Sequence, residues 1–307
     1  MTNTTRAAAV VLVLLGPAMP AALAQQQPGM DAPGKNNTDE LQQGPLAPAP
    51  TPGVAAHRQR LSPGTYMSGA TLPDTTLILP PPPLPGSPAQ AADDAVFHEA
   101  RKLQGTARWT LARNDARLDT ADVLADFSCA LGFAVDTKTA PTLVFLLSHA
   151  GADMGPELDR SKNLWKRHRP YVGNDLPICV QRHGSLDDNP SYPSGHTSLE
   201  YGAALILAEL VPDRAAQILQ RGRTLSESRL ICGVHWLSDV QGGFLEASSL
   251  VAALHGSEKF RADMDRARVE IAAARTRSPA VAPTGNACRI QADAAQHSPL
   301  FRTQPAP

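Results

Sequence analysis

Aromatic residues are scarce in this chain and form only 5% of its 307 residues. Stretches with the alternating pattern of a β-strand are also few, whereas strands are normally rich in aromatic and β-branched residues. The formal net charge is −1, so no global basic field favours nucleic acid or an anionic membrane surface. These absences argue against a β-sheet protein and against a nucleic-acid-binding protein, and any anion must be bound locally.

Cysteine is equally sparse: the chain has Cys129, Cys179, Cys232 and Cys288, and no two of them form a C-x-x-C pair. The spacing typical of zinc sites and of thioredoxin-like redox motifs is therefore missing. In an exported protein, four cysteines allow three complete disulfide pairings. Cys232 lies in an apolar stretch, which favours a small buried thiol over a nucleophile.

Long apolar runs are missing after the amino-terminal segment. The best candidates are Pro141–Leu147, which is short, and Leu199–Val211, which is interrupted by Glu200 and Glu209. A membrane-spanning helix needs about 20 apolar residues. The pattern excludes an integral membrane enzyme.

The first 24 residues have the features of a secretory signal peptide. Arg6 gives a positive start, Ala7–Leu15 is an apolar run, and Ala22–Ala24 forms a small-x-small cleavage site before Gln25. The apolar run is short for the alternative, a membrane anchor. We therefore expect an exported protein, either periplasmic or secreted.

Composition divides the remainder of the chain into three parts. Residues 25–71 are rich in Pro and Gln, half of the 28 prolines lie between Pro28 and Pro88, and such a segment is predicted to be a disordered linker. Residues 72–275 are predicted to form one catalytic domain. Residues 276–307 lack apolar periodicity and are predicted to be a disordered tail.

The predicted domain has a helical pattern, with apolar residues three and four positions apart. The predicted helical segments are Asp93–Asn114, Thr120–Phe133, Thr139–Lys166 with Gly151–Pro156 as its weakest part, Ser198–Leu210, a segment restarting at Pro212, and Trp236–His255. We therefore expect an all-α fold, a compact helical bundle of roughly six to eight helices.

Three short blocks carry the polar chemistry, and the last contains Arg229, His235 and Asp239. A helix that begins near His235 would place Asp239 one turn further on the same face. The carboxylate would then fix one imidazole nitrogen and leave the lone pair of the other free to attack. Arg229 comes before a break at Gly233, which would let the chain turn and bring Arg229 toward His235.

The middle block is a turn that leads into a helix. Pro193 restricts Tyr192, Ser194 is a natural helix N-cap, and Gly195 allows close backbone approach. The free N–H groups of a helix start attract anions. His196 in that first turn would be placed to protonate a leaving group.

The first block holds Lys162 and Arg169, followed by Pro170. Seven residues are two helical turns, so we expect both cations on one side of a helix and about 10 Å apart along its axis. Arginine offers a planar fork to phosphate oxygens and lysine offers a point charge. Each block alone is also typical of an ordinary surface or helix end, but together they suit phosphoryl transfer through a histidine.

The three blocks resemble the signature of the type 2 phosphatidic acid phosphatase and vanadium haloperoxidase superfamily at eleven positions. These positions are Lys162, Arg169, Pro170, Pro193, Ser194, Gly195, His196, Ser228, Arg229, His235 and Asp239. The surrounding segments Leu79–Pro83, Ser191–Thr197 and Ser228–Trp236 resemble those of the bacterial class A non-specific acid phosphatases. The likeness runs from about Leu77 to Arg275.

The resemblance implies an exported, all-helical enzyme that hydrolyses many phosphomonoesters without a metal or another cofactor. It also implies a homodimer or larger homo-oligomer, and phosphotransferase activity in some members. Carried over by motif, His235 is the nucleophile, Asp239 supports it, and His196 is the general acid. The phosphate-binding residues implied by the motif are Lys162, Arg169, Ser194, Gly195 and Arg229.

The sequence departs from the family at Pro190, where a glycine is usual, and in the individual segment Tyr171–Asn189. These departures affect the substrate preference more than the chemistry. Two alternatives use the same residues: a vanadate-dependent haloperoxidase, and an inactive protein that binds phosphate or a nucleotide. A lipid phosphatase is disfavoured because no spanning helix is predicted.

Overall fold

The computed structural model describes residues 65–69, 71–277 and 285–300. The predicted signal peptide and nearly all of the predicted linker lie outside these residues. All of the described residues belong to one compact unit.

The described residues form ten α-helices and no β-strand. The helices are α1 (Pro88–Arg101), α2 (Ala107–Asn114), α3 (Thr120–Leu131), α4 (Pro141–Trp165), α5 (Gly184–Asp187), α6 (Gly195–Leu210), α7 (Ala215–Cys232), α8 (Leu237–Leu254), α9 (Glu258–Arg277) and α10 (Gly285–Gln296). Short 3-10 turns cover Thr75–Leu77 and Pro212–Arg214. The all-α prediction is confirmed. None of the helices in this part of the chain is long and apolar enough to cross a membrane.

The predicted number of six to eight helices is too low. Helix α9 was not among the predicted segments, and three local features account for the other differences. The apolar pattern of Asp93–Asn114 is divided into α1 and α2 by a turn in which Gly105 has a φ of 80°. The four-residue helix α5 is too short to produce a periodic pattern, and α10 lies in the segment predicted to be a tail. In contrast, α4 continues without a break through Pro156.

Helix α6 lies at the centre of the bundle and packs most extensively on α7 and α8. The contact with α8 is close because Gly243 has no side chain: a Cβ atom there would lie 2.7 Å from Cβ of Thr197 and 2.9 Å from the carbonyl oxygen of Ser194. Both of these residues belong to the turn that starts α6. The fold therefore presses the start of α6 against the backbone of α8.

The segment predicted to be a disordered C-terminal tail differs in the structure over residues 285–296, which form α10. A disulfide between Cys129 of α3 and Cys288 holds this helix against the body. Ala294 and Ala295 are buried. Such small residues give a weak periodic signal, and the sequence alone does not predict which cysteine pairs with Cys288.

The end of the predicted linker is also packed rather than free. The Tyr66 hydroxyl donates to Asp263 over 2.8 Å, and the Tyr66 backbone N–H donates to Asp153 over 2.8 Å. The Tyr66 ring meets Phe260 edge-on at a centroid distance of 5.3 Å. Residues 65–69 therefore lie along α4 and α9. The Pro-rich composition of the preceding segment gives no sign of this packing.

The second disulfide joins Cys179 to Cys232. Both residues are fully buried, so the prediction that Cys232 is buried is confirmed, but it is not a free thiol. The bond closes a loop of 53 residues, for which a chain-entropy estimate gives about 4 kcal/mol of stabilisation. It fixes the individual segment Tyr171–Asn189 to the end of α7.

We expect Gly233→Ala to lower the free energy of unfolding by about 2 kcal/mol. Gly233 ends α7 with a φ of 79°, which L side chains rarely adopt. A Cβ atom there would also lie 1.8 Å from Nη1 of Arg101. That guanidinium donates to the carbonyls of Leu230 and Ile231 at the end of α7.

Urea unfolding with circular dichroism would measure the change in Gly233→Ala. Gly173→Ala is a suitable control, because Gly173 has a similar φ of 84° but no atom within 4 Å of the position that a Cβ would take. Equal destabilisation of both variants would contradict the role given to Arg101.

Candidate active site

The eight predicted site residues meet where α4 and α7 end and where α6 and α8 begin. All eight are buried: Lys162, Arg169, Ser194, Gly195, His196, Arg229, His235 and Asp239. The structure therefore brings together every residue that the three sequence blocks supply.

His235 is held at both ring nitrogens. Its Nδ1 lies 3.3 Å from Oδ2 of Asp239, and its Nε2 lies 3.2 Å from Nη1 of Arg169. A guanidinium N–H donates only, so Nε2 is the acceptor and Nδ1 carries the proton toward Asp239. This tautomer leaves the lone pair of Nε2 directed at the cationic side of the site.

Asp239 is the third residue of α8 and belongs to the cap of that helix. Its Oδ2 also accepts the backbone N–H of Trp236 over 2.8 Å. Helix α8 begins at Leu237, not at His235. His235 therefore lies just before the helix and Asp239 in its first turn. The two side chains still meet, as the four-residue spacing predicted.

Backbone carbonyl oxygens bind two of the cations, from just before the middle block and from the last block. Arg169 donates from Nε to Asn189 over 2.9 Å and from Nη1 to Val234 over 2.8 Å. Lys162 donates to the carbonyl of Pro190. Asn189 and Pro190, where the sequence departs from the family, therefore each supply one bond to a cation, to Arg169 and to Lys162 respectively.

Arg229 is the third cation and is only 1% exposed. Its Nε and Nη1 have no hydrogen-bond partner among the described residues. Burial lowers the pKa of Arg229 to about 10, and Arg169 acts in the same direction. The guanidinium still carries its charge near neutral pH and holds donors ready for an anion.

His196 lies in the first turn of α6, with its Nε2 3.3 Å from the carbonyl oxygen of Ala116. A carbonyl only accepts, so Nε2 carries a proton and Nδ1 remains for a second role. Burial, followed by the charges of Arg229 and of His235, lowers the pKa of His196 well below its usual value. The pKa of His235 is lowered in the same way, first by burial and then by Arg169.

The turn before α6 is fixed by bonds within itself and to the start of α8. Ser194 is the N-cap, and its Oγ accepts from Oγ1 of Thr197 over 3.0 Å. Its backbone N–H donates to the carbonyl oxygen of Asp239 over 2.9 Å. The predicted N-cap is confirmed, and the turn is fixed to the start of α8.

Comparison with known proteins agrees with this arrangement. The model of the PAP2 superfamily matches residues 141–261, a range that contains all eight site residues. An acid phosphatase of Zymomonas mobilis is 45% identical over 256 residues, which cover 83% of this chain and 95% of that protein. This chain belongs to the acid phosphatase branch of the PAP2 superfamily.

Two further PAP2 relatives carry the name non-specific acid phosphatase. The protein of Providencia stuartii is 37% identical over 67% of this chain and 84% of its own length. The protein of Salmonella typhimurium is 32% identical over 64% of this chain and 80% of its own length. The family resemblance drawn from the motifs is therefore confirmed.

One geometric prediction for the PAP2 signature was wrong. Lys162 and Arg169 do not lie on one helix, because α4 ends at Trp165 and Lys166 has a φ of 47°. The left-handed residue turns the chain sharply, so Arg169 approaches the site from a loop. Residues with this φ are uncommon outside glycine, and nothing in the sequence before Pro170 signals the turn.

Sequence reasoning missed two buried charged residues beside the PAP2 signature. Arg167 contacts Asp239 over 2.7 Å, although it stands between Lys166 and His168 in a basic run of the kind that usually forms a solvated surface. Glu200 is 1% exposed, and neither carboxylate oxygen has a hydrogen-bond partner among the described residues. Its spacing of four residues from His196 in α6 was the available signal.

We expect Glu200→Gln to become more stable than the wild type as the pH rises above about 4.5. Burial raises the pKa of Glu200 well above its usual value, so the folded protein holds a proton that the unfolded chain releases. Between the two pKa values, the wild type then loses about 1.4 kcal/mol of stability per pH unit. Glutamine is neutral throughout and escapes this loss.

Urea unfolding of both proteins at pH 4, 6 and 8 would measure the difference for Glu200. Glu209→Gln, at a more exposed position of the same helix, is the control. A stability difference that does not grow with pH would show that Glu200 is ionised in the folded protein.

Proposed function

We propose that this protein is an exported acid phosphatase that hydrolyses phosphomonoesters of broad range through a phosphohistidine at His235. The observation that carries the proposal is the imidazole of His235. Its Nδ1 faces Asp239, while its Nε2 faces the buried cations. A lone pair directed into a cationic pocket suits attack on a phosphoryl group.

A bound phosphate group would take up the free hydrogen-bond donors of the site and replace the contact between Arg169 and His235. The phosphate oxygens would take the free donors of Arg229, the Ser194 hydroxyl and the Gly195 N–H. Lys162 and Arg169 add charge, and the Nη1 of Arg169 would turn from His235 to a phosphate oxygen. Because a phosphoryl transition state spreads charge over its equatorial oxygens, such fixed donors do most of the work.

The reaction would then proceed in two displacements. Nε2 of His235 forms a bond to phosphorus while the bond to the leaving oxygen breaks, and His196 gives that oxygen a proton. His196 next takes a proton from water, whose oxygen attacks phosphorus and releases His235. The second step regenerates both histidines and yields inorganic phosphate. No step requires a metal ion.

We expect the activity to have an acidic to mildly acidic pH optimum, and we expect kcat and kcat/KM to depend differently on pH. The lowered pKa of His235 keeps it an unprotonated base at acidic pH. Arg229 also lowers the pKa of His196, and a bound phosphate dianion would offset that charge and favour the imidazolium. The basic limb of kcat should therefore lie at higher pH than that of kcat/KM.

Steady-state kinetics between pH 4 and 9 would test these two limbs. Rates that rise steadily above pH 8 would contradict the assignment of His196 as the acid.

Hydrolysis of p-nitrophenyl phosphate with excess EDTA at pH 5 to 7 tests the proposed function itself. The proposal predicts robust EDTA-resistant turnover. Loss of activity with EDTA would contradict the metal-independent mechanism. No activity in the folded protein, with halide peroxidation after vanadate loading, would favour the haloperoxidase. No activity with tight phosphate binding only would favour the binding protein.

Export, oligomerisation and phosphotransfer are parts of the same proposal. An alcohol in place of water in the second displacement would give a new phosphomonoester, which phosphorus NMR would detect with a nucleoside or a sugar as acceptor. Periplasmic fractionation would test export, and light scattering would test for a homodimer or larger homo-oligomer.

A further inference from the structure

Arg167 is a charged residue of the site region to which the proposed mechanism gives no role. It lies in the loop after α4, and its side chain is only 8% exposed. The left-handed turn at Lys166 directs it back into the protein. Its guanidinium lies 5.3 Å from the ring centre of Trp236. A solvated surface arginine would have none of these features.

The guanidinium completes the set of bonds around Asp239. Nη1 of Arg167 donates to Oδ1 of Asp239 over 2.7 Å. The other oxygen, Oδ2, receives the Trp236 N–H and faces Nδ1 of His235. The carboxylate is thus fixed on one side by Arg167 and is presented on the other side to His235.

Arg167 is itself anchored to α1. Its Nη2 donates to Oδ2 of Asp93 over 2.6 Å and to Oε1 of Gln90 over 2.7 Å. Asp93 in turn accepts the backbone N–H of Ser238 over 2.8 Å and the Ser238 hydroxyl over 2.6 Å. The anchor therefore returns to the first turn of α8, next to Asp239.

We propose that Arg167, held by Asp93, is a positioning residue that keeps Asp239 ionised and oriented toward Nδ1 of His235. The inference rests on the proposed function, because Arg167 would support Asp239, which in turn supports the proposed nucleophile His235. A planar guanidinium suits this role, since its two terminal nitrogens can each donate to a different carboxylate, here those of Asp239 and Asp93. Partners of this kind fix the tautomer and orientation of functional imidazoles.

The charges around Asp239 determine the effect of pH. The groups that face it are Arg167 in the loop, Lys162 on α4, His235 and Tyr192, with Asp93 of α1 behind Arg167. Burial raises the pKa of Asp239, whereas Arg167 and Lys162 lower it. Loss of the Arg167 charge would let Asp239 take up a proton at a higher pH and lose its hold on the His235 N–H.

A double-mutant cycle with the full-length protein tests this role. The variants are Arg167→Met, Arg167→Lys, Asp239→Asn and the double variant Arg167→Met/Asp239→Asn, with p-nitrophenyl phosphate as substrate. We expect Arg167→Met to lower kcat on the order of 10- to 100-fold, as outer-shell partners do, with KM nearly unchanged. The acid limb of kcat should move to higher pH in Arg167→Met and return toward the wild-type position in Arg167→Lys.

The cycle separates positioning from mere structural support. If Arg167 acts through Asp239, the double variant should be about as slow as Asp239→Asn alone, and inhibition by inorganic phosphate should be unchanged. Additive losses, or an acid limb that stays in place, would overturn the inference. If Arg167→Met does not fold, Arg167→Lys combined with Asp239→Asn gives the same additivity test.

The same measurements distinguish the inference from the proposed function. An inactive wild-type protein would refute the proposed function before any variant is compared. An active wild type whose Arg167→Met variant keeps its kcat would refute only the role of Arg167.

Discussion

Replacing His235 with alanine is expected to abolish turnover of p-nitrophenyl phosphate while the protein remains folded. The variant removes the atom that would bond to phosphorus. The imidazole forms hydrogen bonds with Asp239 and Arg169 and with the backbone of Ser191. All of these partners lie within the site, so we expect the helices to remain in place. Steady-state rates and a thermal melt would measure both effects.

A matched control for His235→Ala is His98→Ala. His98 is exposed on α1 and bonds only within its own helix, to the carbonyl of Asp94. It should retain the wild-type rate. Substantial turnover by His235→Ala would show that water attacks phosphorus directly or that another residue is the nucleophile.

Replacing Arg229 with alanine is expected to lower kcat about 10²- to 10³-fold, equivalent to about 3 to 4 kcal/mol of transition-state stabilisation. Two of its guanidinium nitrogens have no partner among the described residues, so these donors are available to a phosphate group in the proposed mechanism. Folding should therefore survive the change. Arg229→Lys keeps the charge but loses the planar fork, and we expect an intermediate rate.

Arg261→Ala is the control for Arg229→Ala, because Arg261 is exposed on α9 and donates to the carbonyl of His255. Its kinetics should match the wild type. If Arg229→Ala raised KM but left kcat unchanged, Arg229 would bind the substrate and the transition state equally, and the proposed stabilisation of the transition state would be wrong.

Much of the fold could be predicted from the periodicity of the sequence. The helices that carry the site were predicted to within a few residues at most ends, because Ser194 and Gly233 mark a start and a stop by well-known local chemistry. The all-α class followed from the same patterns. The packed segments 65–69 and 285–296 could not be predicted, since their order comes from Tyr66 and from the Cys129–Cys288 disulfide.

The candidate site also contains residues that the sequence predicted and residues that it did not. Its eight residues followed from short motifs, in which residue type and spacing carry the chemistry. The supporting residues did not, because their roles depend on contacts between distant segments. Arg167 and Asp93 are 74 residues apart in sequence and form an ion pair of 2.6 Å, and no local pattern predicts that pairing.

The central claim is most directly tested by trapping the phosphoenzyme. Wild-type protein would be mixed with p-nitrophenyl phosphate, quenched in base after milliseconds, digested and analysed by mass spectrometry, with His235→Ala and His196→Ala in parallel. The mechanism predicts a phosphoryl group on His235 of the wild type, and none at that position in His235→Ala. A phosphoryl group on another residue, or rapid turnover with no phosphorylated peptide, would contradict it.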